Sequence, residues 1–176
     1  MRKDYNNFYS GLGSDNVPGK VLRKISKIAL YLANKKYVLR SGRGSKCQIA
    51  FEKAIDGINL KQIYLPWNGY KNDQFENSIY NYVTEPALNI ARKYSEVWGS
   101  LTYLEKAEYG RNAYIILGWR LNKPSKFIVC YFNEEEEVLE HALRIARDYK
   151  IPVFNLYNEN MFREIFQKLK DVIKNS

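Results

Sequence analysis

The stretch Tyr37-Val-Leu-Arg-Ser-Gly-Arg-Gly-Ser-Lys-Cys-Gln-Ile-Ala-Phe-Glu52 decides the fold. It predicts a short buried strand from Tyr37 to Arg40, a glycine-containing turn from Ser41 to Gly44, and a helix that begins near Ser45. This order places backbone N–H groups and the positive end of a helix dipole at the carboxyl end of a strand. The turn therefore suits an anion such as phosphate, with Arg40, Arg43 and Lys46 as nearby cations. An ordinary strand-to-helix connection with solvated basic side chains is the alternative.

Strands and helices alternate along the rest of the chain. The first strand starts at Asn7 and breaks at the glycines of Ser10–Ser14, and the later strands are predicted at Tyr37–Arg40, Gln62–Pro66, Lys126–Phe132 and Ile151–Leu156. This alternation predicts an α/β, Rossmann-like three-layer sandwich with a five-stranded, mostly parallel sheet in the order 3-2-1-4-5. We expect residues 1–176 to form a single domain with a helical insert at about 84–121, and an amphipathic closing helix that turns Met161 and Ile165 inward.

Ligands of such sheets bind beyond the carboxyl ends of the strands, where the strand order reverses. That switch point lies between the first and fourth strands. The predicted ligand-binding residues near it are Ser10, Gly11, Gly13, Ser14, Ser41, Gly42, Arg43, Gly44, Lys46 and Trp67. The loop from Trp67 to Asn81 is long enough for a lid, and Trp67 and Tyr70 could stack on a base or pack the loop onto the sheet.

The charge of the chain is strongly positive. Lys plus Arg number 28 against 19 Asp plus Glu, which gives a net charge of +9. This excess suits a polyanion or a phosphorylated ligand, although a Lys- and Asn-rich composition typical of the source genome is the alternative.

The cysteines and the distribution of apolar residues limit the classes of site and location that this chain can have. Cys47 and Cys130 have no metal-type spacing, and one histidine, His141, makes a zinc site unlikely, so we expect no metal and no cofactor. The thiols are expected to be reduced in a cytoplasmic compartment. Neither a signal peptide nor an apolar run long enough to span a membrane is visible.

Several fragments in order resemble the SLOG superfamily, the Rossmann-like group that includes DprA and the LOG proteins, and above all its small DprA-like members from bacteriophages. They are Tyr9–Ser14, Leu39–Gly42, Ala50–Glu52, Ile63–Trp67, Arg111–Asn112, Leu117–Gly118, Pro124–Ser125, Ala142–Ala146 and Ile151–Leu156. The resemblance implies a pocket for a nucleotide-derived ligand or single-stranded nucleic acid, with Arg111 and Asn112 among the binding residues. It also implies the host cytoplasm for a phage-encoded member, and dimers through helices such as those at 84–121.

The glycine motifs depart from the family pattern. Arg43, Lys46 and Gln48 stand where relatives carry two glycines and an acid, and Glu137-Val138-Leu139 stands where they carry Gly-Gly-Thr. Bulky side chains block the approach of a phosphate to the backbone, and the acidic run at 134–137 repels it. The second phosphate site is therefore expected to be lost and the first altered.

Catalysis would require a carboxylate at the pocket. Glu52 matches the glutamate of the related Ala-Phe-Glu segment and is the catalytic candidate, with an ion pair to Arg40 or near Lys53 as its alternative role. Arg111 could hold a phosphate or pair with Glu105 or Glu108. The residues favour ligand binding without efficient catalysis. The other hypotheses are DprA-like single-stranded DNA binding, LOG-like phosphoribohydrolase activity, and a structural protein whose pocket Val138, Leu139 and Arg43 have closed.

Overall fold

The computed structural model describes residues 7–72, 79–80, 82–133, 136–157 and 162–174. Its strands are β1 (Phe8–Gly13), β2 (Val38–Ser41), β3 (Lys61–Tyr64), β4 (Ile79–Tyr80), β5 (Phe127–Tyr131) and β6 (Val153–Asn155). Its α-helices are α1 (Gly19–Asn34), α2 (Lys46–Ala54), α3 (Glu85–Lys93), α4 (Tyr103–Leu117), α5 (Glu137–Asp148) and α6 (Phe162–Lys174). Short 3-10 turns occupy Tyr70–Asn72 and Trp98–Ser100.

The described strands form one parallel sheet in the order β4-β3-β2-β1-β5-β6. The predicted Rossmann-like α/β class and the order of the five predicted strands are confirmed. The two-residue strand β4 was not predicted, and it extends the sheet beside β3. The strand order changes direction between β1 and β5, and a topology of this kind leaves a crevice at the carboxyl ends of these two parallel strands.

Alternate residues of the central strands face two different helical layers. Tyr9, Phe127 and Val129 belong to a core with α1, α2 and α6, whereas Leu12 and Ile128 belong to a core with α4 and α5. Such two-sided burial explains why β5 is apolar at all five positions. Among the described helices, none has the length and apolarity that a membrane crossing requires.

Several predicted boundaries were wrong. Strand β1 continues through Gly13, so the glycines of Ser10–Ser14 belong to the strand and not to a turn. The helix predicted to begin at Thr84 was expected to carry Trp98, whereas α3 ends at Lys93 and Trp98 lies in a separate 3-10 turn. The sequence offers Asp15 or Asn16 as a cap for the first helix, but the N-cap position of α1 is Pro18, whose side chain has no acceptor, and Asp15 instead accepts from the N–H of Lys46.

Other predictions fall on parts of the chain outside the description. Residues 73–78 and 81 of the expected lid lie outside the described residues, as do Met161 and the side chain of Ile165 in the closing helix.

Candidate functional site

A crevice of about 500 Å³ opens at the carboxyl ends of β1 and β5, where the strand order reverses. Four of the predicted binding residues line it, namely Gly13, Gly44, Arg111 and Asn112. Other lining side chains include Asp15, Gln48, Tyr70, Lys71, Glu108, Glu136, Val138 and Leu139. Val138 and Leu139 thus form part of the wall without closing the crevice.

The backbone at the end of β1 requires glycine. Gly13 has φ +143°, and a Cβ atom there would lie 2.6 Å from the carbonyl oxygen of Tyr131. The next residue, Ser14, donates its N–H to that same oxygen at 2.9 Å. The buried Ser14 hydroxyl has no hydrogen-bond partner among the described residues. Backbones of β1 and β5 therefore meet closely at the base of the crevice.

Side chains of this protein already occupy the amides of the predicted phosphate turn. The Arg43 N–H donates to Glu52 Oε1 at 3.1 Å, and the Gly44 N–H donates to Gln48 Oε1 at 2.6 Å. At the start of α2, the Lys46 N–H donates to Asp15 Oδ1 at 2.8 Å. A carboxylate on this helix end is stabilised by the helix dipole. Asp15 thus stands where the sequence predicts a phosphate.

Glu52 and Arg43 form a pair outside the crevice. Arg43 has φ +53°, and its Nε donates to Glu52 Oε2 at 2.8 Å. Burial raises the pKa of the Glu52 carboxyl, while the hydrogen bonds from Arg43 lower it. Neither residue lines the crevice; both line a separate cavity beside α2. The partner of Glu52 is thus Arg43 rather than Arg40, and the structure does not bring this carboxylate to Arg111.

Arg111 is the buried cation of the crevice. Only 4% of it is exposed, and its Nη1 donates to the Gly42 carbonyl at 3.2 Å. Its Nε has no acceptor among the described residues, and none of their carboxylates forms a salt bridge with it. The alternative pairing with Glu105 or Glu108 is therefore not seen. A Cβ atom at position 42 would lie 2.9 Å from Arg111 Cδ, so a larger residue there would displace the Arg111 side chain.

Tyr70 separates the charges beside Arg111. Its hydroxyl donates to Glu108 Oε1 at 2.8 Å, and its ring centroid lies 5.5 Å from the Arg111 guanidinium carbon. Burial raises the pKa of this phenol, so it stays protonated and able to donate. The Glu108 carboxylate is thereby held by a neutral donor, while Lys71 contacts the Gly44 carbonyl through its Nζ.

Asn112 is held in place by its neighbours. Its Nδ2 donates to the Val138 carbonyl at 2.7 Å and lies 3.4 Å from His141 Nδ1. His141 Nε2 lies 2.9 Å from the carbonyl of Ala91. Burial lowers the pKa of His141 to about 4, so the imidazole is neutral. The histidine positions Asn112 and does not reach the crevice lining.

The remaining predicted residues do not line the crevice. Ser10 donates to the Ile115 carbonyl, Gly11 packs against the Phe51 ring, and Trp67 packs edge-on against Tyr70 with ring centroids 4.9 Å apart. The others outside the lining are Ser14, Ser41, Gly42, Arg43 and Lys46. Arg40 is buried near Gly118, where its Nη1 donates to the Lys123 carbonyl, and burial lowers its pKa to about 10.

Sequence reasoning missed several lining residues. Glu108, Arg111 and Asn112 follow a helical i, i+3, i+4 spacing, so Glu108 could have been placed on the same face as the other two. Asp15 or Asn16 was expected to cap the helix that follows, whereas Asp15 accepts from the N–H of Lys46 at the start of α2, whose N-cap residue is Ser45. Nothing in the sequence pattern indicated that Lys71 would line the crevice. It lies in the short turn after Gly69 and has a φ of +53°.

The sequence matches no protein-family model and no curated protein. The structure resembles DNA processing protein A from Helicobacter pylori, whose structure was described for its single-stranded DNA binding mode. The TM-score is 0.61, with 14% sequence identity over 96% of this chain and 82% of that chain. A likeness at this identity shows a shared DprA-like, Rossmann-type fold.

Proposed function

We propose that this chain binds single-stranded nucleic acid, with a backbone phosphate held in the crevice by Arg111 and Lys71. The observation that carries the proposal is the state of Arg111. A guanidinium that is 4% exposed and has no salt bridge among the described residues is costly unless an anion joins it. Its planar fork suits a phosphate, which can accept two N–H bonds from it.

Two neighbours of Arg111 and the overall charge of the chain favour an anionic ligand. Tyr70 donates to the Glu108 carboxylate, so a neutral hydroxyl satisfies this acid and leaves the guanidinium available. Lys71, at the same crevice, adds a second cation. The net charge of +9 would also attract a polyanion at low salt.

The fold adds independent support. DNA processing protein A of Helicobacter pylori, with the same fold at 14% identity, is described as a single-stranded DNA binder. The SLOG grouping, the phage origin and the cytoplasmic location stay predictions.

The test is a comparison of two arginine variants that remove the same charge. Arg111→Gln removes the buried guanidinium, whereas Arg120→Gln removes an exposed one. Hydrogen bonds to a charged group contribute roughly 1.5–3 kcal/mol, so Arg111→Gln should weaken binding of a fluorescein-labelled oligothymidylate roughly 10- to 150-fold in an anisotropy titration. The slope of log affinity against log salt should fall by about 0.7 for the lost phosphate contact.

Arg120→Gln is expected to bind within about twofold of wild type, because an exposed charge contributes little. Circular dichroism must show that both variants are folded. If folded Arg111→Gln binds as tightly as Arg120→Gln, the crevice does not hold a phosphate and the proposal fails.

A second candidate is a free nucleotide or nucleotide-derived ligand in the same crevice. Three carboxylates, those of Asp15, Glu108 and Glu136, line it and would repel a continuous polyanion more than a small ligand. A ligand of this kind should raise the melting temperature in a panel of mononucleotides, dinucleotides and cyclic nucleotides. Saturation by a mononucleotide with no competition from oligonucleotides would favour it over the first proposal.

Asp15→Asn provides a further variant for both binding assays, because it removes a negative charge from the crevice. The amide oxygen of Asn can still accept from the Lys46 N–H, but the negative charge at the start of α2 is lost. We expect an anion to bind roughly two- to fivefold more tightly at low salt, from ~0.3–1 kcal/mol of dipole and charge effects. Phosphoribohydrolase activity through Glu52 stays a prediction, and base release from a nucleoside monophosphate that Glu52→Gln abolishes would support it.

A further inference from the structure

A second groove, of about 230 Å³, lies beside the crevice between the loop after β3 and the start of α4. Four of its eleven lining residues are aromatic, namely Trp67, Tyr82, Trp98 and Tyr103. Tyr103 is 80% exposed and Tyr82 is 54% exposed. Large rings this exposed carry a free-energy cost that a stacked partner would remove.

We propose that this groove is a stacking site for an unpaired base of single-stranded nucleic acid, with Tyr103 as its main platform. The proposal rests on the function proposed above and extends the path of the strand beyond Arg111. A groove of 230 Å³ is smaller than the pockets that hold whole drug-sized ligands and suits a planar ring. Base stacking on aromatic side chains tolerates any base, as binding without sequence preference requires.

The charges around the groove favour a nucleic acid over an apolar partner. Among the described residues, no carboxylate lines it, whereas Lys106 does, with its Nζ 5.7 Å from the Trp98 ring centroid. Two acids adjoin lining residues in the sequence: Glu105 accepts from the N–H and hydroxyl of Thr102 in a capping box, and Glu108 accepts from the Tyr70 hydroxyl in the crevice. A phosphate next to a stacked base would therefore meet a lysine and no opposing carboxylate of the lining.

The groove and the crevice share one wall. Trp67 lines the groove and Tyr70 lines the crevice, and their rings touch edge to face with centroids 4.9 Å apart. A single strand whose phosphate lies on Arg111 could thus continue over this wall and place a neighbouring base on Tyr103. The helical segment at 84–121 would then add ring contacts to a site that the sheet begins.

The test separates the groove from the crevice by ligand length. Tyr103→Ala should weaken binding of an oligothymidylate of about twelve nucleotides roughly 5- to 150-fold, the equivalent of one stacked base. Thymidine monophosphate has one phosphate and one base and is too short to span both sites, so we expect its affinity for the crevice not to change. Tyr103→Phe keeps the ring and should bind the oligonucleotide as wild type does, and Tyr149→Ala, which removes a tyrosine 42% exposed elsewhere, should have no effect.

Each outcome decides one of the two proposals. If Tyr103→Ala binds the oligonucleotide like wild type while Arg111→Gln does not, the groove is refuted and the crevice stands. If Tyr103→Ala weakens binding but Arg111→Gln does not, the crevice proposal fails alone. If Tyr103→Ala leaves binding intact and instead converts a dimer to a monomer in sedimentation velocity, the groove is the predicted contact between copies of the chain and the stacking proposal is overturned.

Discussion

Replacement of His141 by glutamine should abolish a specific pH dependence of stability. The Asn112 Nδ2 group can only donate, so His141 Nδ1 accepts from it and Nε2 carries the proton that faces the Ala91 carbonyl. Protonation at Nδ1 would oppose two donors inside a buried site, and the cation of Arg144 lies nearby. Burial, as the first cause, therefore lowers the pKa of this imidazole to about 4.

The sign and size follow from linkage. Between pH 6.5 and 4 the unfolded chain binds a proton at His141 that the folded chain does not, so the free energy of unfolding falls as the pH drops through this window. From a native pKa of about 4 and an unfolded value of 6.5, the loss between pH 7.5 and pH 5 is about 2 kcal/mol. Below pH 4 the loss of unfolding free energy caused by His141 levels off.

The assay is urea unfolding of wild type and His141→Gln at several pH values between 5 and 7.5. Glutamine can donate to the Ala91 carbonyl and accept from Asn112 without titrating, and every other group contributes equally to both proteins. The unfolding free energy of wild type minus that of His141→Gln should therefore fall by about 2 kcal/mol from pH 7.5 to pH 5. Since the chain has one histidine, its NMR titration is unambiguous. Parallel stability curves, or a histidine that titrates near pH 6.5, would refute the buried neutral imidazole.

Three further outcomes are expected. Glu52→Gln should lower the unfolding free energy measured in urea by roughly 1.5–3 kcal/mol, since it weakens the hydrogen bonds from Arg43. Its oligonucleotide affinity should not change, because Glu52 lies outside the crevice, and a loss of affinity would contradict that position. Cys47 and Cys130 should resist a thiol reagent until the chain unfolds, because both are buried and burial raises the pKa of Cys47 to about 12; rapid labelling of the folded protein would show otherwise. Gly13→Ala should lower the melting temperature markedly, with strain of roughly 1–3 kcal/mol, and an unchanged melting temperature would mean that the β1 end can relax.

The sheet was predictable because its signals are local and repeated. A continuous apolar run such as Phe127–Tyr131 must be buried on both faces, and alternating helices leave few ways to connect such strands. Strand β4 escaped prediction because two residues, Ile79 and Tyr80, carry no periodicity. The extent of β1 was misjudged for a different reason: Gly11 reads as a turn residue, but it is small because the Phe51 ring packs directly on the strand.

The candidate site was harder to predict, because its geometry depends on side chains that are distant in sequence. Local reasoning placed Arg43 and Lys46 at a phosphate turn, and the backbone does form the expected turn and helix start. Which partner takes each amide was decided by tertiary packing, which brings Asp15 to the N–H of Lys46 across 31 positions of sequence. Spacing within the turn carries no information about such a contact.

These contacts change which groups of the predicted site are open to a ligand. The glycine turn was expected to bind phosphate in an altered form and Arg111 to hold a phosphate, yet Glu52 and Gln48 take two backbone donors of the turn and Asp15 takes one at the start of α2. The cations left in the crevice lining are Arg111 and Lys71, and Arg111 has a carbonyl and an aromatic ring beside it but no carboxylate bound to it among the described residues. An anion in this crevice would thus be bound by the Arg111 guanidinium rather than by the backbone N–H groups of the turn.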